Sequence, residues 1–98
     1  MDRYFYTYLL RCCDGTYYAG LTDDLDQRMA QHATGALGGY TSRRLPVTLV
    51  WSDRFQTRDE AFAAERKLKG WERAKKEALI AGVWDLVSQL ARNRQGGR

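Results

Sequence analysis

Residues 3–22 read Arg3-Tyr4-Phe5-Tyr6-Thr7-Tyr8-Leu9-Leu10-Arg11, then Cys12-Cys13-Asp14-Gly15, then Thr16-Tyr17-Tyr18-Ala19-Gly20-Leu21-Thr22. The first run is rich in aromatic side chains and has no helical period, which favours a strand. Asp14-Gly15 is a strong hairpin signal, because glycine enters positive φ without a steric penalty. Residues 16–21 then return as a second strand. Thr22 or Asp23 is placed to cap a helix whose first turn carries Asp23, Asp24 and Asp26, all favourable at the positive end of the helix dipole. Leu25, Met29 and Ala33 recur at four-residue spacing and predict a narrow apolar stripe packed on the hairpin. The helix stops near Thr34-Gly35.

Working outward, residues 35–46 form a loop with three glycines and the pair Arg43-Arg44. Val47-Thr48-Leu49-Val50-Trp51 is a third strand whose nearly continuous apolar character predicts a central place in the sheet. Thr57 and Glu60 have capping-box spacing, and the helix after them carries Ala61, Ala64, Leu68 and Trp71 on one side. Gly70 weakens or ends it. Trp71 to Ile80 reads as a further short helix, residues 83–90 can be helical, and 92–98 fray. The order is ββαβαα. It predicts an α+β domain over residues 3–80, a small three-stranded antiparallel sheet flanked by helices, followed by a C-terminal helix and basic tail over 81–98.

With 98 residues the chain has room for one domain. Hydrophobic residues make up 44% and charged residues 29%, which excludes a disordered polar chain. No apolar run approaches the ~20 residues of a membrane-spanning helix, and the first residues lack a secretory layout. Cys12 and Cys13 are adjacent and form neither an easy disulfide nor a zinc cluster, so a reduced, cytoplasmic protein is expected. Charge is uneven: residues 1–40 carry three arginines against five aspartates, net −2, while residues 41–98 carry 13 basic and 7 acidic residues, net +6. A basic excess of that kind suits a polyanionic partner, because neutralising phosphates releases counterions; many mildly basic domains have no such partner.

Glycine-rich phosphate loops, serine-nucleophile elbows and zinc-finger spacings are absent, and there is one histidine. Arg28 and His32 are four apart and share one side of a helix, near the tyrosines of the hairpin. A guanidinium beside an imidazole and phenols suits phosphate chemistry; the plainer reading is an exposed helix face over a packed aromatic strand. Glu65 lies at the border of a core-facing stripe and is followed by Arg66, Lys67 and Lys69. It is either a metal ligand or half of an i,i+4 ion pair with Lys69 worth about 0.3–0.5 kcal/mol.

Taken together, Thr7-Tyr8-Leu9-Leu10, the run Tyr18-Ala19-Gly20-Leu21-Thr22, Arg28-x-x-x-His32 and Ala61-x-x-x-Glu65-x-x-x-Lys69 resemble the GIY-YIG nuclease domain over about residues 3–80. The resemblance is nearer still to the small single-domain bacterial proteins of the UPF0213 group. It departs from the family motif at Tyr6-Thr7-Tyr8, which lacks the glycine and isoleucine, and at Ala19 in place of isoleucine. The resemblance implies a metal-dependent endonuclease acting on DNA phosphodiesters, or a nucleic-acid-binding module that keeps the fold without cutting. It implies Tyr8 as general base, with a phenol pKa lowered by Arg28 and a metal, and Tyr18 as the tyrosine of the second motif. Arg28 would stabilise the pentavalent phosphate, His32 would contact phosphate or assist proton transfer, and Glu65 would hold one Mg2+ or Mn2+ ion. Tyr40, Arg43, Arg44, Lys67, Lys69 and Arg73 are the candidates for nucleic-acid contacts, with Lys75 and Lys76 reading rather as a soluble helix face. Larger relatives carry a separate recognition domain, so target selection is expected to come from the domain itself or from a protein partner.

Overall fold

The computed structural model describes residues 3–83. Strands β1 (Phe5–Arg11) and β2 (Tyr17–Thr22) form the hairpin, followed by helices α1 (Leu25–Thr34) and α2 (Gly39–Ser42), strand β3 (Thr48–Phe55), and helices α3 (Arg58–Gly70) and α4 (Arg73–Ile80). The sheet is antiparallel in the order β2-β1-β3. This is the α+β architecture expected. The helix and tail expected beyond residue 83 lie outside the described residues.

The hairpin turn closes through Cys12 N–H to Thr16 O at 2.8 Å and Gly15 N–H to Cys12 O at 2.9 Å, with Gly15 at φ 84°. Asp14 accepts from the Thr16 hydroxyl and amide at 2.6 and 3.1 Å, and these bonds hold its carboxyl below the usual carboxylate range.

The centre of the sheet is β1, and here one expectation is corrected: β3 is an edge strand. Thr7, Tyr8, Leu9 and Leu10 are all fully buried, because helices cover both faces of β1. In β3 the apolar run is only half covered, and Leu49 is 40% exposed. A bulge explains the misleading pattern. Leu9 pairs with Trp51 and Leu10 with Leu49, so Val50 is an extra residue that interrupts the two-residue alternation. Strand β3 also runs four residues further than expected, to Phe55, which packs in the core.

The two faces differ in kind. Leu9 and Ala19 point to one side, where they pack with Ala61, Ala64 and Leu68 of α3 and Leu79 of α4. The Thr7 hydroxyl donates to Ala61 O at 2.6 Å on that same side. A fully buried leucine there contributes about 1.5–3 kcal/mol. Helix α3 starts with the expected capping box, Thr57 Oγ1 accepting from Glu60 N–H at 3.1 Å and Glu60 Oε1 from Thr57 N–H at 3.3 Å. Trp71 is the C-cap of α3, so α4 begins at Arg73.

Helix α1 covers the opposite face, with two corrections. Its cap is Asp24, whose side chain accepts from Gln27 N–H at 3.0 Å; the Thr22 hydroxyl instead receives Asp24 N–H at 3.1 Å. The buried residue of α1 is His32, while Leu25 and Met29 are half-buried and Ala33 is exposed. The helix turns its polar edge inward because the sheet surface opposite carries Tyr8, a buried phenol that needs a hydrogen-bond partner. Gly35 ends the helix at φ 75°, and the loop after it contains the one-turn α2, which was not expected.

Candidate active site

Tyr8 points away from the α3 core and toward α1. Its ring lies across Gly20, its partner on β2; a Cβ at position 20 would collide with Cζ and Oη of Tyr8. Gly20 is therefore glycine for space, and its open face lets the Tyr8 ring lie across edge strand β2. The Tyr8 hydroxyl meets His32 Nε2 at 2.9 Å, and His32 Nδ1 meets Thr41 Oγ1 of α2 at 2.9 Å. All three side chains are buried.

Arg28, one turn before His32, bonds Leu21 O at 3.3 Å through Nη1, and its guanidinium acts on the Tyr8 phenol. Its charge pulls the phenol pKa down, yet burial wins and the Tyr8 pKa is raised above 10.0. Arg28 alone therefore does not depress the phenol: Tyr8 sits in too dry a place for one neighbouring cation to offset desolvation. Burial, then the Arg28 charge, lowers the His32 pKa below 6.5, so the imidazole is neutral at neutral pH.

Tyr18 extends the cluster. Its ring sits edge-on to His32 at 5.6 Å between centroids and stacks with Tyr40 at 6.1 Å. Arg44 lies 3.7 Å over the Tyr40 ring, donates to Tyr40 O at 2.9 Å and pairs with Asp14 at 3.0 Å, tying the α2 loop to the hairpin turn. Arg43 follows α2 directly and is exposed.

Glu65 comes from α3, on the other side of the sheet, yet its charge reaches Tyr8 and raises the phenol pKa. Glu65 is buried and pairs with exposed Lys69 at 3.3 Å, so the i,i+4 pair is present, with a desolvated carboxylate. Lys67 is half-buried on the same helix. Arg73 belongs elsewhere: it donates to Gly15 O at 2.7 Å, pairs with Glu77 at 3.0 Å, and lies 5.2 Å over Tyr17, locking α4 to the hairpin on the α3 side. Lys75 is likewise placed over the ring of Trp71.

Tyr8, Tyr18, Arg28, His32 and Tyr40 are thus brought together, Glu65 lies across the sheet and acts on Tyr8 through its charge, and Arg73 stands apart. Sequence reasoning missed Thr41, for which a hydroxyl in a glycine-rich loop offers no spacing signal. Among the described residues no group of three or more His, Cys, Asp and Glu is assembled. A lone carboxylate fits an oxygen-seeking divalent cation that keeps most of its water shell, and does not fit zinc or another metal needing several side-chain ligands.

A buried tyrosine–histidine pair beside an arginine, carried on a hairpin and its following helix, defines the class. The chain belongs to the GIY-YIG catalytic-domain family, whose model matches residues 4–78. This is a nuclease-type domain family, and nucleic acid is the substrate class that it implies. Among relatives, a UPF0213 protein of Streptococcus pneumoniae serotype 4 is 42% identical over 81 residues, covering 83% of this chain and 82% of its own. Two solution NMR structures are similar. The UPF0213 protein BH0048 from Bacillus halodurans is 37% identical with a TM-score of 0.53, covering 89% of this chain and 96% of its own. Protein EF2693 from E. faecalis is 34% identical with a TM-score of 0.56, covering 83% and 88%. No helix among the described residues is long and apolar enough to cross a membrane.

Proposed function

We propose that the protein is an endonuclease that hydrolyses DNA phosphodiester bonds with one Mg2+ or Mn2+ ion, at branched, damaged or single-stranded sites. The observation that carries this reading is the buried Tyr8 hydroxyl, 2.9 Å from His32 Nε2 and under the influence of the Arg28 charge. Because burial raises the Tyr8 pKa and lowers that of His32, neither group is a strong base alone. Together they work as a relay. A water loses its proton to the Tyr8 oxygen as the Tyr8 proton passes to His32 Nε2, leaving an imidazolium. The water oxygen bonds to phosphorus, the bond from phosphorus to the leaving oxygen breaks, and the leaving alkoxide takes a proton from solvent.

Arg28 is the charge placed to stabilise the extra negative charge on the phosphorane. Glu65 would hold the ion, which when bound supplies Lewis-acid polarisation of a phosphate oxygen. Tyr18 packs edge-on against the imidazole and positions it. Tyr40, Arg43 and Arg44 on the α2 loop, with Lys67 and Lys69 near Glu65, are the groups for backbone contacts, which give affinity without reading sequence. Target choice then rests on substrate shape or on a partner protein. Free Cys12 and Cys13 fit a reducing cytoplasm.

A second reading, a binding module that does not cut, is favoured by one contact: Lys69 already neutralises Glu65. The test is a panel of flap, fork, nicked, single-stranded and duplex DNA with Mg2+ or Mn2+, run beside Glu65→Gln. The enzyme reading expects metal-dependent cleavage that this variant loses while retaining binding. Salt-sensitive binding with no metal-dependent cleavage by either protein selects the module.

A further inference from the structure

The imidazole of His32 is bonded at both ring nitrogens, and the direction of each bond follows from counting protons. Arg28 carries only donors, so its charge beside the Tyr8 phenol favours a hydroxyl whose own hydrogen is directed elsewhere. The phenol then has one hydrogen of its own to place, and His32 Nε2 at 2.9 Å is the acceptor set before it among the described residues. An accepting Nε2 is unprotonated, and a neutral imidazole must carry its single hydrogen on Nδ1. That hydrogen points at Thr41 Oγ1, 2.9 Å away and buried.

We infer that Thr41 is a positioning residue: as acceptor for Nδ1–H it holds His32 in the tautomer whose Nε2 is free to receive the Tyr8 proton. Its effect on cleavage rests on the nuclease reading; its effect on the tautomer does not. The reversed arrangement, Thr41 donating to Nδ1 and Nε2–H donating to Tyr8, would leave the imidazole unable to accept that proton. The contact also stabilises the imidazolium that forms during the relay, since Nδ1–H stays bonded when Nε2 is protonated. The other groups facing the ring are Tyr8 from β1, Tyr18 from β2 and Arg28 on its own helix, with Glu65 of α3 acting on Tyr8. Among the described residues none of them is bonded to Nδ1, so Thr41 is the acceptor that supports the tautomer the Tyr8 bond favours.

His32 is the sole histidine of the chain, so its nitrogen spectrum can be read without assignment by mutation. Long-range 1H–15N correlation spectra of the full chain at neutral pH should show Nδ1 protonated and Nε2 bare. In Thr41→Val, which keeps the shape and removes the acceptor, the spectrum should move to the Nε2–H form or a mixture. Thr41→Ser should restore the original pattern. Cleavage should fall about 10- to 100-fold in kcat with KM little changed for the valine variant, and recover with serine. A wild-type spectrum showing Nε2–H overturns the inference outright, whether or not any variant folds. A valine variant that folds and keeps the Nδ1–H form also overturns it. If the spectra follow the prediction but the wild-type chain cuts no DNA, the nuclease reading fails and the role of Thr41 in setting the tautomer stands.

Discussion

The hydroxyl of Tyr8 is the single atom on which the site turns, and removing it tests chemistry and stability together. Tyr8→Phe leaves His32 Nε2 buried without its partner, a loss of about 1–3 kcal/mol that urea denaturation should register. Cleavage should drop about 10²- to 10⁴-fold, the range for a positioned proton-transfer group; full activity in this variant removes Tyr8 from the relay. The two pKa shifts also give stability a shape against pH. His32 is lowered from 6.5, so as pH falls below 6.5 the unfolded chain takes a proton that the folded chain refuses. Stability from this group is complete above 6.5 and declines as pH falls through the lowered folded value. Tyr8 is raised from 10.0, so its contribution is complete below 10.0 and declines as pH climbs through the raised folded value. Denaturation midpoints across pH should fall at both ends, and His32→Gln should flatten the acid limb while leaving the alkaline one. An acid limb unchanged in that variant would show that other groups carry it.

Elements differ in how openly they announce themselves. Helix α3 does so through Thr57 and Glu60, and Thr57→Ala should cost about 1 kcal/mol by removing the cap, lowering the melting temperature by roughly 4–8 °C. Its cleavage, measured well below that melting point, should match wild type, because the cap lies outside the Tyr8 cluster. Gly20→Ala on β2 is the contrasting case. The new methyl must displace the Tyr8 ring, so stability should fall by about 1–3 kcal/mol and cleavage should fall as well. Local rules that need only near neighbours were legible: the Asp14-Gly15 turn, the capping box, the Gly35 stop. What escaped depended on partners distant in the chain. Asp24 caps α1 because Thr22 is drawn into its own turn with the Asp24 amide. The buried side of α1 follows from Tyr8, 24 residues away, rather than from the spacing of Leu25, Met29 and Ala33. The edge position of β3 hides behind the Val50 bulge, and α2 is a single turn with no periodicity to detect. Of the site, the residue types on the hairpin and helices could be picked out, but the partner of His32 Nδ1 could not.

At the scale of the molecule the sheet separates two kinds of surface. One face is closed by α3 and α4 into the apolar core, and the other carries α1, α2 and the Tyr8–His32 cluster. A nucleic acid that reaches this cluster must approach from the α1–α2 side, where Arg43 is exposed beside Tyr40 and Arg44. Arg73 lies on the far side, and its guanidinium is engaged by Gly15 O and Glu77. The two arginines therefore have different consequences although they carry the same charge. Each phosphate contact contributes about 0.7–0.9 to the slope of log K against log salt, depending on whether the strand is single or double. Arg43→Ala should reduce that slope by about this amount and weaken binding similarly for all sequences, because a phosphate contact reads none. Arg73→Ala should leave the slope unchanged and instead lower the melting temperature, since α4 loses its tie to the hairpin turn. Fluorescence anisotropy with a labelled oligonucleotide at several salt concentrations, paired with thermal melts, separates the two effects. A reduced slope in Arg73→Ala with none in Arg43→Ala would put the nucleic acid against α4 and the hairpin turn rather than the α2 loop beside Tyr8, and the relay could then not be its catalyst.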